Sequence, residues 1–176
     1  MSNPCSVSLI PFESSAAEKF SCSVNFKIEN GVLLLEYGIF GPLPELSIPL
    51  ETSTSGFTPG LWRHTCCECF LRQGNETSYT EWNFSLDCNW WSCRFDAYRT
   101  PAQVQPSDVQ PQDFQIIFRE NKMALTAAIA CPAPAGLRIG LALILEHAGG
   151  NRSHWAMKHP GGKPDFHLAE TCAYVL

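Results

Sequence analysis

Hydrophobic and polar residues in this chain alternate with a period of two far more often than with the 3.6-residue period of a helix. "SCSVNFKIEN" followed by "GVLLLEYGIF" reads as two strands turning at Asn30-Gly31, a dipeptide favoured in type I′ hairpin turns. Further strands are expected at 64–72, 78–86, 90–98, 114–119, 122–130, 137–146 and 172–176. The segments "RQGNE", "TPAQVQPSDVQPQD", "ENK", "PAPAG" and "AGGN" place turn residues between them. "GPLPELSIPL" is too rich in proline for a central strand and is expected at an edge, and the Pro-rich stretch 100–113 as a surface loop or edge. The best helical pattern, "FESSAAEK" at 12–19, is long enough for only a turn or two. Regularly spaced strands with few helices indicate an all-β fold, an antiparallel sandwich or barrel, in one domain spanning 1–176.

Composition narrows the class. Apolar residues make up 45% of the chain and charged residues only 16%, the balance of a protein that folds around a core. A net charge of −5 with no basic cluster argues against nucleic-acid and anionic-membrane partners. The longest apolar run, "GLALIL" at 140–145, is far too short to span a bilayer. "MSNPCSVSLIPFESS" has neither the basic nor the apolar region of a secretory signal, so a cytoplasmic location is expected. The nine cysteines are then expected as reduced thiols that pack as small hydrophobes.

Three of those cysteines stand in "LWRHTCCECFLR" at 61–72. On a strand, Cys67, Cys69 and Leu71 share one face, and His64, Cys66, Glu68 and Phe70 the other. The pair Cys66-x-x-Cys69 therefore points to opposite sides, unlike a zinc knuckle or a redox motif. In "SYTEWNFSL", Trp82, Phe84 and Leu86 oppose Tyr79, Glu81, Asn83 and Ser85. In "WWSCRFDAYR", Trp91, Cys93, Phe95 and Ala97 oppose Trp90, Ser92, Arg94, Asp96 and Tyr98. If the three strands are neighbours, as chain order suggests, their apolar faces form a core. Glu68, Glu81, Asn83, Arg94, Asp96 and Tyr98 then form a polar patch with Trp90 and His64 at its margin. Cross-strand ion pairs on a solvated face are one account of such a set. A ligand site is the other: carboxylate, amide and guanidinium groups bond paired hydroxyls while a ring covers the apolar face of a sugar.

Four of the five histidines fall at His147, His154, His159 and His167, and Trp155 lies among them. "RSHWAMK" reads as a strand and "HPGGKP" as a loop that leads to Asp165-Phe166-His167. His159, Asp165 and His167 are an alternative metal set. The simpler reading has Asp165 orienting a neighbour by hydrogen bonding. Common nucleotide-binding and hydrolase signatures are absent.

"LWRHTCCECFLR", "YTEWNFS", "WSCRFDAYR" and "HWAMKHPGGKPDFH" resemble segments of small bacterial DOMON-like proteins, whose sandwich is similar to that of family 9 carbohydrate-binding modules. The likeness runs from about residue 25 to the end and includes the order Trp62, Glu68, Phe70, Tyr79, Glu81, Phe84. It implies a β-sandwich that binds a ligand and has no catalytic activity of its own. By it, Trp62, Trp90 and Trp155 are candidates for stacking on a sugar, and the haem-binding relatives offer the alternative of an axial Met123 or Met157 with a histidine or Lys158. The expected ligand is a small saccharide-like molecule, held by His64, Glu68, Glu81, Asn83, Trp90, Arg94, Asp96, Tyr98, Trp155, His159, Asp165 and His167. No cofactor is expected on this reading, haem being the alternative. A partner protein docking on the same face, and a hydrolase using Glu68 and Glu81, are the other readings.

Overall fold

The computed structural model describes residues 4–48, 56–104, 110–131 and 135–176. Twelve antiparallel strands follow in chain order: β1 Cys5–Pro11, β2 Ser21–Glu29, β3 Val32–Phe40, β4 Cys66–Gln73, β5 Tyr79–Ser85, β6 Trp90–Ala97, β7 Thr100–Val104, β8 Gln112–Arg119, β9 Lys122–Ala130, β10 Leu137–Glu146, β11 Arg152–Ala156 and β12 Tyr174–Val175. The helical pattern at 12–19 forms a 3₁₀ turn, Ser14–Glu18. Asn30 and Gly31 turn β2 into β3 with φ of 52° and 76°, the left-handed pair a type I′ turn requires.

Two expectations change. β1 was not expected to be a strand. The stretch 100–113 does fall at edges: residues 100–104 form the edge strand β7, 105–109 lie outside the described residues, and the edge strand β8 starts at Gln112. The expected edge segment 41–50 instead makes a 3₁₀ turn, Leu43–Glu45, and one bridge from Leu46 to His147. Its prolines leave few N–H groups for a ladder; residues 49–50, like most of "PAPAG" (132–134), lie outside the described residues.

Hydrogen bonding runs unbroken in the order β7-β6-β5-β4-β10-β11-β1-β2-β3-β9-β8, with β12 also on β10. The sheet folds over at β1. Residues 5–9 of that strand pair with β2, whereas Ile10 and Pro11 pair with β11. One layer is thus β1-β2-β3-β9-β8 and the other β7-β6-β5-β4-β10-β11, an antiparallel β-sandwich. A single apolar cluster fills the space between them. Val24, Leu33, Leu35, Ile39 and Met123 from one layer meet Cys67, Cys69, Phe84, Leu141, Leu143 and Trp155 from the other, all at most 2% exposed. Tyr37 reaches across with its hydroxyl, which donates to the backbone carbonyl of Glu68 at 2.7 Å. That bond satisfies the one polar atom of a fully buried ring.

The second layer is covered on its outer side as well, and this positions the site. The chain between 157 and 173 runs back over it and buries a second apolar cluster containing Cys66, Phe70, Trp91, Cys93, Ala142, Ile144 and Phe166. Gly140 admits the close approach: a Cβ there would lie 3.1 Å from the Cys172 sulfur and 3.3 Å from the Thr171 carbonyl oxygen. Burial on both faces explains the unbroken apolar run at 140–145, where alternation would mark a strand with one wet side.

Candidate functional site

Between the outer face of β4–β6 and this covering segment lies a cavity of about 560 Å³. Small-molecule sites commonly span about 300–1,000 Å³. Glu68 and Glu81 stand on its sheet wall, joined by Trp91, Cys93 and Phe95. Strand register explains the grouping. Glu68 lies opposite Asn83, which lies opposite Trp91, and Phe70 lies opposite Glu81, which lies opposite Cys93. Directly opposite residues share a face. Trp62, from the 3₁₀ turn Leu61–Arg63, and Pro164, Phe166 and His167 from the covering segment close the other sides.

The two tryptophans form a corner. Trp62 and Trp91 meet edge to face, with ring centroids 5.1 Å apart and planes at 62°. Rings in mutual contact leave no room for a sugar between them, so stacking falls to the free surface of Trp62, which is 37% exposed. Trp90 and Trp155 are not at the site. Both lie in the inter-sheet core, at 2% and 1% exposure, and the indole N–H of Trp155 donates to Ser153 Oγ at 3.0 Å.

The carboxyl groups are buried without a full set of partners. Asn83 Nδ2 donates to Glu81 Oε1 at 2.8 Å, but Glu68 Oε1 and Asn83 Oδ1 have no hydrogen-bond partner among the described residues. Burial pushes the Glu81 carboxyl up to about 7 against the smaller opposing effects of Asn83 and Arg99. Burial, and then the charge of Glu81, hold Glu68 well above the usual carboxylate range. Beside them, burial and then Arg99 bring His167 down to about 4, so its ring is neutral at neutral pH. The Tyr79 hydroxyl, pushed up to about 12 chiefly by burial, lies 2.8 Å from His167 Nδ1 and accepts the Arg99 N–H at 3.2 Å. As donor to Nδ1 it leaves the His167 proton on Nε2, which faces Glu81 Oε2 at 3.9 Å.

Asp165 anchors the covering segment. It accepts from the Tyr98 hydroxyl, from Arg99 Nη2 at 3.1 Å and from the His167 backbone N–H at 3.2 Å. Burial pushes its pKa up, but these hydrogen bonds and the Arg99 charge outweigh it and leave the carboxyl below its ordinary value. Arg99 is thereby committed to Asp165 and Tyr98. Its φ of 50° turns the chain from β6 into β7 and brings the guanidinium over the cavity.

Of the expected site residues, the fold brings Glu68, Glu81 and His167 to the cavity, with Asn83 bonded to Glu81, and Asp165 bonded to the exposed Tyr98 outside the lining. Arg94 and Asp96 belong elsewhere. Phe84 lies opposite Trp90 and Thr80 opposite Arg94, so the face assigned to β6 shifts by one residue. Trp90, Ser92, Arg94 and Asp96 follow the inward phase, and Arg94 and Asp96, near the strand's end, are exposed there. His64 is exposed and paired with Glu146 at 2.9 Å. His159 Nε2 contacts the Ile10 carbonyl oxygen at 2.8 Å, which ties the loop to β1. His159, Asp165 and His167 thus do not converge, and among the described residues no group of three His, Cys, Asp or Glu side chains is placed to hold a metal ion. Met123 is sealed in the inter-sheet core. The lining residues Trp91, Arg99, Arg152, His154 and Phe166 were not anticipated as site residues.

No protein-family model matches the chain, and no curated protein sequence matches it. Solved structures do resemble it. A protein from Bacteroides uniformis named for a proposed carbohydrate-binding role superimposes with a TM-score of 0.63 at 12% identity, over 95% of this chain and 83% of that one. A family 9 carbohydrate-binding module from Caldicellulosiruptor kristjanssonii, in complex with cellotriose, gives 0.52 at 10% identity, over 81% and 68%. The antiparallel β-sandwich is therefore a fold that this chain shares with these two structures.

Proposed function

We propose that the chain is a non-catalytic binding module that holds a small saccharide in the cavity between the outer face of β4–β6 and the covering segment. The observation that carries this reading is the joint placement of the partly exposed Trp62 ring and the buried, unpartnered Glu68 Oε1 in the lining of one cavity. A pyranose offers both complements, an apolar ring face for the indole and hydroxyl donors for the oxygen. The fold likeness supports the reading, since the C. kristjanssonii module is in complex with cellotriose. So does the resemblance of the sequence to DOMON-like proteins. A concave cavity of this volume suits a small molecule better than a docking protein, whose contact surface is broad and flatter.

Titration calorimetry against a panel of mono- and disaccharides tests it. Trp62→Ala is expected to weaken binding by at least ~10-fold, about 1.4 kcal/mol, with the melting temperature nearly unchanged. A panel with no binder, or a Trp62→Ala protein that binds as the parent does, overturns the proposal.

A further inference from the structure

The polar chemistry of the cavity wall is lopsided, and the imbalance says which sugars fit. Its innermost polar groups are two carboxyls on adjacent strands, Glu68 and Glu81, each at most 4% exposed. Glu68 Oε1 has no partner among the described residues, and the Asn83 amide behind the pair is spent as a donor on Glu81. Among the described residues no Lys or Arg is bonded to either carboxyl, although the Arg99 charge acts on both. Arg99 is held by Asp165 and Tyr98. His167 is neutral at neutral pH, with its Nδ1 engaged by Tyr79. His154 pairs with Glu13 at 2.9 Å, and Arg152, which also lines the cavity, is exposed to solvent.

Hydroxyl recognition alone does not need this arrangement. Amide side chains would accept the same bonds without the cost of desolvating two neighbouring acids, which is several-fold larger than that of a neutral polar group. The free chain avoids that cost by holding protons on the buried pair, and a cation that enters takes their place. The walls suit one: Trp91 and Phe95 line the same space, and ring faces attract ammonium groups.

We propose that the cavity selects saccharides bearing a protonated amine, with the ammonium group seated at Glu68 and Glu81. This rests on the saccharide-binding reading of the same site and specifies its ligand class.

The test is calorimetric titration of the full chain near neutral pH with three probes. These are the disaccharide of two β-linked glucosamines, cellobiose as its hydroxyl counterpart, and cyclohexylammonium, a cation that is not a sugar. The amino disaccharide is expected to bind at least ~10-fold tighter than cellobiose. Glu68→Gln, which keeps the shape and removes the ionisable group, is expected to reduce that preference to less than about 3-fold. Glu81→Gln gives the same readout should the first variant not fold. Equal binding of the two disaccharides, or tighter binding of cellobiose, overturns the amine inference while the saccharide reading stands. Binding of cyclohexylammonium alone keeps amine recognition and overturns the saccharide reading. Silence from all three probes overturns both.

Discussion

On their inner side β4, β5 and β6 meet another sheet; on their outer side they meet a segment with little regular structure. Both sides are buried. The inner side carries Cys67, Cys69, Trp82 and Phe84 in close contact with apolar partners, and the outer side carries Glu68, Glu81 and Asn83 next to Phe70 and Trp91. A sheet can interdigitate with a sheet along its whole area. An irregular segment touches down at anchor points, among them His159, Asp165, Phe166, His167 and Cys172, and leaves space between them. Similar burial therefore gives a close-packed core on one side and a polar cavity on the other.

The largest expected break in this comparison is Trp155→Ala. Removing a fully buried indole from the inner side should cost about 3–5 kcal/mol, read as a lowered denaturant midpoint. Next comes the pH dependence of the outer side. Between the ordinary carboxylate value of 4.5 and about 7, the folded chain keeps a Glu81 proton that the unfolded chain has lost. Stability from this group is therefore present in acid and falls as pH rises through that window. His167, brought down from 6.5 to about 4, acts with the opposite sign: its contribution is present above 6.5 and is lost as pH falls towards 4. Glu68, also raised, acts with the sign of Glu81, and His167 offsets the pair only in part in the parent. Glu81→Gln removes one of them, so the variant should gain on the parent by on the order of 2 kcal/mol across that window, measured by urea unfolding at stepped pH. The smallest effect is expected from Asp165→Asn, about 1 kcal/mol from weakened charged hydrogen bonds. Amide exchange should speed up over 160–172 while the β2–β3 hairpin is unaffected; uniform acceleration would show that the covering segment is not an independent layer.

Most strands were legible because alternation against a single core leaves a period of two. The phase of β6 was not. Trp90 and Trp91 put a large ring at each parity, so either face could be taken as the apolar one. Only the register, with Asn83 opposite Trp91, decides it. Arg94 and Asp96 were drawn into the expected site by that ambiguity, and Trp91 was left out of it. Glu68 and Glu81 were found because β4 and β5 have an unambiguous apolar phase. Arg99 and Phe166 left no periodic trace, since a turn and an irregular segment deliver them. Asp165 and His167 stood out as ionisable groups in a Gly-Pro-rich loop. Their partners, Tyr98 with Arg99 and Tyr79, are far off in the chain and are joined to them only by the fold.

The strand that passes between the two layers also sets a schedule. Ile10 of β1 waits for Ala156 of β11 before the second ladder can start. At ribosomal rates of about 5–20 residues per second, completing that partner takes on the order of ten seconds after β2 and β3 have emerged. During that interval the nascent β1–β2–β3 meander carries unpaired edges, the kind of surface that recruits other chains. Slowing translation between β3 and β11 is therefore expected to lower the protein's soluble yield.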